Sequence, residues 1–345
     1  MSKPKKIAIV ILSWNGGKLF DTFLPSVIKN STSENIEIII ADNGSTDNSL
    51  KQLRQNYPSL KIIELKTNFG FAEGYNQALK QVDAEYLVLL NSDVQVTENW
   101  IEPCIQQFEA DEKLAAVQPK ILSYNHPEYF EYAGAAGGFT DKFGYPFCRG
   151  RILNRIEKDE EQYNKPTNIF WASGACMFVR TNAFKIAGGF DCDFWAHMEE
   201  IDLCWRLKSQ GFTIKYEPKS VVFHLGGGTL SYESPKKIYL NFRNNLFMLF
   251  KNLPKHQFKR IFFTRMVLDG VAAAKFLIGF NFREFWAVVK AHFSFYKNLG
   301  KLISKRKETQ KKVVVREHHE IYSKSIMWKF FIQKKRKFSD LDFQL

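Results

Sequence analysis

The stretch Leu87-Val88-Leu89-Leu90-Asn91-Ser92-Asp93-Val94 decides how the rest of the chain is read. Apolar residues run without a break into Asn-Ser-Asp. Such a run marks a strand buried on both faces, as in a parallel sheet. Asp93 then stands at the C-terminal end of that strand, and in open α/β sheets this is the edge where ligands bind. A hard oxygen donor there suits Mg²⁺ or Mn²⁺ carrying a diphosphate, because such ions take few protein ligands and let substrate phosphates fill the rest. The plainer alternative is a strand that ends in a polar turn.

The same pattern repeats on the N-terminal side. Strands are predicted over 7–13, 36–41, 60–65 and 86–90, with helices over 18–29, 48–56 and 77–81 between them. Ser45 or Thr46 is placed to cap the helix at 48–56. This βαβαβαβ order over residues 1–95 implies a parallel, right-handed, doubly wound sheet. Beyond Asp93 a helix is predicted over 100–110 and a strand over 115–122. Residues 124–168 are polar, aromatic and Gly-rich, with Arg149 and Arg151 inside. So long a stretch without periodicity reads as a mobile lid or binding segment. A strand over 173–180 follows, then a helix over 198–210 stopped by Gly211. Short strands at 213–216 and 221–223 lead into a flexible loop at 224–229.

Composition bounds the function. The 345 residues are 45% hydrophobic and 25% charged, with 32 Phe, which is globular. The five cysteines form no Cys-x-x-Cys pair, so neither a disulfide framework nor a zinc ribbon is indicated, and a reducing compartment fits. No signal peptide is visible. The best candidate span, 261–280, contains Arg265, Asp269 and Lys275. Each charge costs about 2.5–3.5 kcal/mol at the bilayer centre, so this segment is not expected to cross a membrane. The net charge of +13 is uneven: residues 251–345 hold 22 Lys and Arg against 7 Asp and Glu, while residues 1–250 hold 27 against 29. A basic C-terminal part points to an anionic surface, membrane or nucleic acid. The near-neutral remainder carries no nucleic-acid motif, which argues against nucleic acid. Phe282, Phe285, Trp286, Val289, Phe293 and Tyr296 recur on one helical face beside basic residues. That face either lies in lipid headgroups or packs on the rest of the protein.

Several residues suit chemistry. Asp42 ends the second strand, on the same edge as Asp93. It can accept from a nucleobase N–H or ribose hydroxyls, or serve a turn. Gly70 and Gly74, between Asn68 and Asn76, let backbone approach a ligand, without the Gly-Lys-Ser/Thr of a P-loop. Glu199 and Glu200 either complement a helix dipole or supply a general base, since a desolvated carboxylate beside others has a raised pKa. Asp202 and Arg206 are spaced to pair on a helix. His224 is either structural or a Mn²⁺ ligand.

In this order, Asp42-Asn43-Gly44-Ser45-Thr46-Asp47, Asn68 to Asn76, Asn91-Ser92-Asp93, Ser173-Gly174-Ala175-Cys176, Gly188-Gly189-Phe190-Asp191, Glu199-Glu200-Ile201-Asp202-Leu203 and Phe223-His224 resemble the family 2 glycosyltransferases. The nearest likeness is to bacterial rhamnosyltransferase-like members that build surface polysaccharides. The resemblance covers about residues 5–250. It implies the GT-A nucleotide-diphospho-sugar transferase fold, an α/β class. Residues 1–95 would be the nucleotide-sugar half, 96–250 the acceptor-binding and catalytic half, and 251–345 a basic helical extension. It implies an inverting transfer from a nucleotide-diphospho-sugar to a hydroxyl of a glycan or lipid-linked acceptor. Asn15, Asp42, Asn68, Gly70, Gly74, Asn76, Asn91 and Asp93 would bind the donor. Asp93, with His224, would hold Mg²⁺ or Mn²⁺. Asn91 stands where the family's Asp-x-Asp begins with Asp. Glu200 would be the base, with Glu199 beside it. Gly174, Ala175, Arg149 and Arg151 would lie on the acceptor side. The expected location is cytoplasmic, peripheral on the inner face of the membrane. Two alternatives remain at this point. One is a nucleotidyltransferase, although Trp14-Asn15-Gly16-Gly17-Lys18 lacks the usual triphosphate loop. The other is a non-catalytic protein that binds nucleic acid or membrane through a basic tail.

Overall fold

The apolar run before Asp93 is a strand covered on both sides. In a computed structural model describing residues 5–226 and 234–343, β1 (Lys5–Ser13), α1 (Gly17–Lys29), β2 (Ile36–Asp42), α2 (Ser49–Asn56), β3 (Lys61–Glu64), α3 (Gly70–Leu79) and β4 (Ala84–Asn91) alternate as expected. The strands run parallel in the order β3-β2-β1-β4. Leu87 and Leu89 of β4 enter one core, under Ala72, Tyr75 and Ala78 of α3. Tyr86, Val88 and Leu90 enter the other, under Phe20, Leu24 and Val27 of α1. The period of two along a strand thus produces two cores from one unbroken apolar run.

The sheet continues through β5 (Val94–Val96), α4 (Glu102–Ala110) and β6 (Leu114–Ser123). Four short strands follow: β7 (Gly138–Asp141), β8 (Pro146–Cys148), β9 (Arg151–Ile152) and β10 (Arg155–Ile156). Next come β11 (Thr167–Asn168), β12 (Cys176–Arg180), α5 (Thr181–Ala187), α6 (Glu199–Ser209) and β13 (Thr213–His224). β12 inserts antiparallel between β4 and β6, and β13 lies parallel to β6, so a parallel half adjoins a mixed one.

Four local expectations need correction. Residues 124–168 are not a stretch without regular structure, since β7 to β10 belong to a second sheet with largely buried side chains. The glycine-rich stretch is itself helical, because α3 begins at Gly70 rather than near Gln77. Asn48, not Ser45 or Thr46, precedes α2, and Asp47 Oδ1 accepts from Ser49 N at 3.0 Å. The two short strands at 213–216 and 221–223 are one strand, with a register shift between Glu217 and Val221 around Pro218. The expected flexible loop at 224–229 lies outside the described residues beyond Gly226.

The C-terminal part comprises α7 (Pro235–Asn252), α8 (Lys255–Ile278), α9 (Phe282–Lys297), α10 (Leu299–Lys311), β14 (Ile321–Tyr322) and α11 (Ile326–Phe331). It is woven into the rest. β14 pairs with β7, and Asp141 accepts from Ile326 N at 2.9 Å. Phe338 and Phe343 pack on Phe139 and Phe147.

Under α6, Asp202 is fully buried and receives Arg206 Nε at 2.9 Å, Lys251 Nζ at 2.9 Å and Asn252 Nδ2 at 2.8 Å. Arg206 also donates to Ala187 O at 2.5 Å and Gly189 O at 2.8 Å. The expected Asp202–Arg206 pair is therefore the centre of a larger network. Removing one partner from a buried ion cluster leaves the others uncompensated, at about 3–5 kcal/mol. Asp202→Ala is expected to lose stability on that scale, read by urea unfolding.

Candidate active site

The parallel strands bring the sequence-selected carboxylates to one edge. Asp42 ends β2 beside Ser13, and Asn91 ends β4 beside Leu12. Asp42 Oδ2 accepts from Ser45 N at 3.1 Å, which shapes the loop after β2. Asn15 clasps the same loop. Its N–H donates to Ser45 Oγ at 2.9 Å, and its Oδ1 accepts from Thr46 N at 2.8 Å.

The asparagines expected to line a donor pocket are occupied with backbone. Asn68 Oδ1 accepts from Gly70 N at 2.9 Å and from Asn43 Nδ2 at 3.2 Å. Asn76 Nδ2 donates to Phe190 O at 2.8 Å while its Oδ1 accepts from Phe190 N at 3.0 Å. Asn76 is thus a brace between α3 and the Gly188–Gly189 turn. Gly70 has φ +75, and a Cβ there would stand 2.6 Å from the Trp195 ring. That glycine is required by close approach as well as by backbone conformation. Trp195 O accepts from Phe71 N at 2.7 Å and Ala72 N at 3.2 Å, filling the free N–H groups at the start of α3. Gly74 approaches the Asn43 side chain in the same way.

The segment before α6 is strained. Trp195, His197 and Met198 have φ of 63, 68 and 71. Left-handed backbone at non-glycine residues costs of order 1–3 kcal/mol each and persists only when its surroundings over-determine it. Here Asn244 Nδ2 donates to Phe194 O at 2.9 Å, Ala196 O at 2.8 Å and His197 O at 2.7 Å. Arg243 Nη2 adds Asp193 O and Phe194 O, both at 2.9 Å. Sequence reasoning did not assign these two residues a role. The signal available was the Asn-Phe-Arg-Asn-Asn run at 241–245.

This loop sets Glu199 and Glu200 at the start of α6. Both carboxyls are enclosed, and one oxygen of each has no hydrogen-bond partner. Burial raises the Glu200 pKa to about 7, against the opposing pull of backbone N–H groups at Glu200 and Ile201. Burial, and then the neighbouring Glu200, push Glu199 well above the ordinary carboxylate range. His197 is half-buried, with an enclosed and unpartnered Nε2. Burial and then Lys237 lower its pKa to about 4, so it is neutral.

At the sheet edge His224 Nε2 lies 3.1 Å from Asp93 Oδ1, and His224 Nδ1 lies 3.2 Å from Glu131 Oε2. Burial lowers the histidine's pKa, but the Glu131 and Asp93 carboxylates outweigh it and raise it to about 10. Burial pushes Asp93 up, but the His224 charge wins and holds it below its ordinary value. Glu131 was not foreseen, because it sits in the stretch read as a loop. Cys148 lies within electrostatic reach of both Glu131 and Glu200, which places the two acidic clusters in one neighbourhood.

The acceptor-side residues divide. Asn91 N donates to Ala175 O at 3.0 Å, and a Cβ on Gly174 would meet Phe71 Cζ at 3.1 Å, so both belong to this edge. Arg149 is not solvated surface charge, and its Nη2 is buried without a hydrogen-bond partner. It is buried between the Tyr163 and Tyr216 rings, donates to Ala136 O at 3.0 Å, and has its pKa lowered to about 10 by burial. Arg151 is also buried, over Tyr132 at 4.4 Å, and donates to Leu153 O at 3.2 Å. Among the described residues, the one acidic group with metal-like spacing is Asp191, Cys192 and Asp193. Lys251, Lys301 and Lys305 already neutralise it, so it serves as an ion-pair hub.

The sequence model of Glycosyl transferase family 2 matches residues 8–186, just over half of the chain. The chain belongs to that family. It is a glycosyltransferase, and the nucleotidyltransferase and non-catalytic readings fall away. It is 26% identical over 236 residues to the N-acetylglucosaminyl-diphospho-decaprenol L-rhamnosyltransferase of Mycobacterium tuberculosis, covering 63% of this chain and 75% of that one. Two solved structures share the fold. GalNAc-T7 with UDP, GalNAc and Mn²⁺ has a TM-score of 0.55 at 18% identity, over 72% of this chain and 48% of that chain. The Pyrobaculum calidifontis mannosyltransferase with GDP-Man and Mn²⁺ has 0.52 at 13% identity, over 90% and 85%. These are GT-A glycosyltransferases, so the expected fold class holds.

Within the glycosyltransferase, the brace reading of Asn76 is open to test. Asn76→Ala strands the Phe190 N–H and C=O and is expected to cost about 1–3 kcal/mol, read by thermal or urea unfolding. Unchanged stability would return Asn76 to the donor pocket.

Proposed function

We propose that this glycosyltransferase moves a sugar from a nucleotide-diphospho-sugar to a hydroxyl of a glycan or lipid-linked acceptor, with inversion, in cell-surface polysaccharide synthesis. The observation that carries it is the meeting of Asp93 and His224 at the sheet edge, in the neighbourhood of a carboxyl whose pKa lies near 7. The acceptor class is supported by the decaprenol-linked sugar in the name of the mycobacterial relative. The enzyme then works at the cytoplasmic face of a membrane. No helix among the described residues is long and apolar enough to cross one.

The residues fit a divalent ion. One carboxylate and one imidazole converge, and Glu131 behind the imidazole completes the carboxylate–histidine arrangement common to metal sites. Asp93 and His224 would hold Mn²⁺ or Mg²⁺, the histidine giving up its proton on binding. When bound, such an ion stabilises charge on the departing nucleoside diphosphate. Asp42 accepts from the base or ribose, and Asn91 contributes a neutral dipole where the family has a charge. Glu200 takes the proton from the acceptor hydroxyl, whose oxygen attacks the anomeric carbon in line. One displacement with one base inverts the configuration.

Glu200→Gln is expected to keep donor binding and lose about 10²–10⁴ in kcat. Glu199→Gln is expected to retain most turnover, and the opposite result would transfer the role to Glu199. Because the base acts ionised, kcat/KM is expected to rise with pH up to about 7 and then level, with that limb absent in Glu200→Gln. Asp93→Asn is expected to remain folded and to lose Mn²⁺-dependent nucleotide binding by calorimetry. His224→Ala is expected to weaken it less. Full activity in EDTA would remove the metal from the reading.

A further inference from the structure

Helix α8 buries charge and exposes apolar surface. Its charged pair is buried: Arg265 and Asp269 meet at 2.7 Å beneath the helix, and Arg265 also donates to Asn245 Oδ1 at 2.5 Å. It also buries Ile261, Phe262 and Ala273, but a row of its apolar residues faces water. Phe263 is 70% exposed, Val271 62% and Ile278 79%, with Val267 between them. At 3.6 residues per turn these positions fall along one side. α9 repeats the arrangement, burying Ala287, Val288, Ala291 and Phe295 while Phe282, Trp286, Phe293 and Tyr296 stay exposed. Of the α9 stripe, these four residues therefore face outward, while Phe285 and Val289 are half-buried. In the turn between the helices Phe280 is 78% exposed, with its ring centroid 6.2 Å from that of Phe282, so the two stripes meet there.

Helices of water-soluble proteins turn apolar residues inward, and a contiguous exposed apolar surface marks a partner. Charge identifies which partner. The exposed charged residues of α8 and α9, among them Arg260, Lys275, Arg283, Lys290 and Lys297, are all cations. The two acids on these helices are Asp269, buried, and Glu284, half-buried. A second copy of this chain would set like charge against like. Anionic headgroups supply the opposite sign and attract each Lys or Arg near the surface. Trp286 and Tyr296 suit headgroup depth, where amphipathic rings collect.

We propose that the α8–α9 hairpin is a docking platform for an anionic bilayer, with both stripes and the Phe280 turn set at headgroup depth. This deepens the membrane reading given above. It is independent of the catalytic assignment, because it is read without turnover. The test is flotation of the full chain with vesicles of phosphatidylglycerol and phosphatidylcholine, or phosphatidylcholine alone. The parent protein is compared with Phe263→Ser/Val267→Ser/Val271→Ser and with Phe282→Ser/Trp286→Ser/Phe293→Ser. All six positions are exposed or at the surface, and circular dichroism checks that each variant folds. The expected result is salt-sensitive flotation of the parent with the anionic vesicles, reduced roughly ten-fold or more in either variant. No flotation of the parent, or an α8 variant that floats like the parent, overturns the proposal. So does a parent dimer in light scattering that the variants dissociate while flotation is unchanged, which would assign the surface to a second copy. Flotation as expected, with no sugar transfer from any donor, would leave docking intact and reject the catalytic reading.

Discussion

The buried carboxylate of Asp202 is the constraint on which the catalytic region depends. It draws in Arg206 from its own helix and Lys251 and Asn252 from α7. Through Arg206 it fixes the Gly188–Gly189 turn, and through Lys251 it reaches Asp191, which Lys305 also holds. A buried ion cluster is weak as a source of net stability but strict in geometry. Its members tolerate few arrangements, so α6 has little freedom to slide, and Glu199 and Glu200 at its start inherit that fixity. The same logic makes Asn244 and Arg243 matter. They supply the hydrogen bonds that hold three left-handed residues ahead of the helix.

A second coupling joins α3 to the start of α6. The carbonyl of Trp195, from the strained segment, completes the first turn of α3, and the Trp195 ring lies on Gly70. Helix α3 and the segment leading into α6 therefore meet at Trp195. Neither can be displaced without exposing unsatisfied backbone groups of the other.

Much of this was legible in the sequence, for local reasons. Unbroken apolar runs ending in Asp or Asn gave the parallel strands, and the strand ends placed Asp42, Asn91 and Asp93 on one edge. The pairing of Asp202 with Arg206 followed from helical spacing. What escaped was non-local. Strands of two to four residues such as β7 to β10 carry too few positions to show alternation, and one of their partners lies near the other end of the chain. The burial of Arg149 was not legible because Tyr163 and Tyr216, which enclose it, are distant in sequence. Glu131 was hidden in the same stretch. The 261–280 run is not a membrane span, but two of the three charges that argue against it, Arg265 and Asp269, are buried while Lys275 is exposed, an arrangement that periodicity cannot reveal.

The pairing of β14 with β7 has a consequence in time. Asp141 waits for Tyr322 and for the N–H of Ile326, so the second sheet is not finished until that distant segment has been made. At ribosomal rates of about 5–20 residues per second, the interval between the two is on the order of ten seconds or more. During it, Phe139 and Phe147 lack the aromatic neighbours Phe338 and Phe343 that later cover them. The nascent chain thus carries an open β edge and uncovered rings beside a finished parallel sheet. It is in that window, more than in the mature enzyme, that the chain is exposed to misassembly and to chaperone capture.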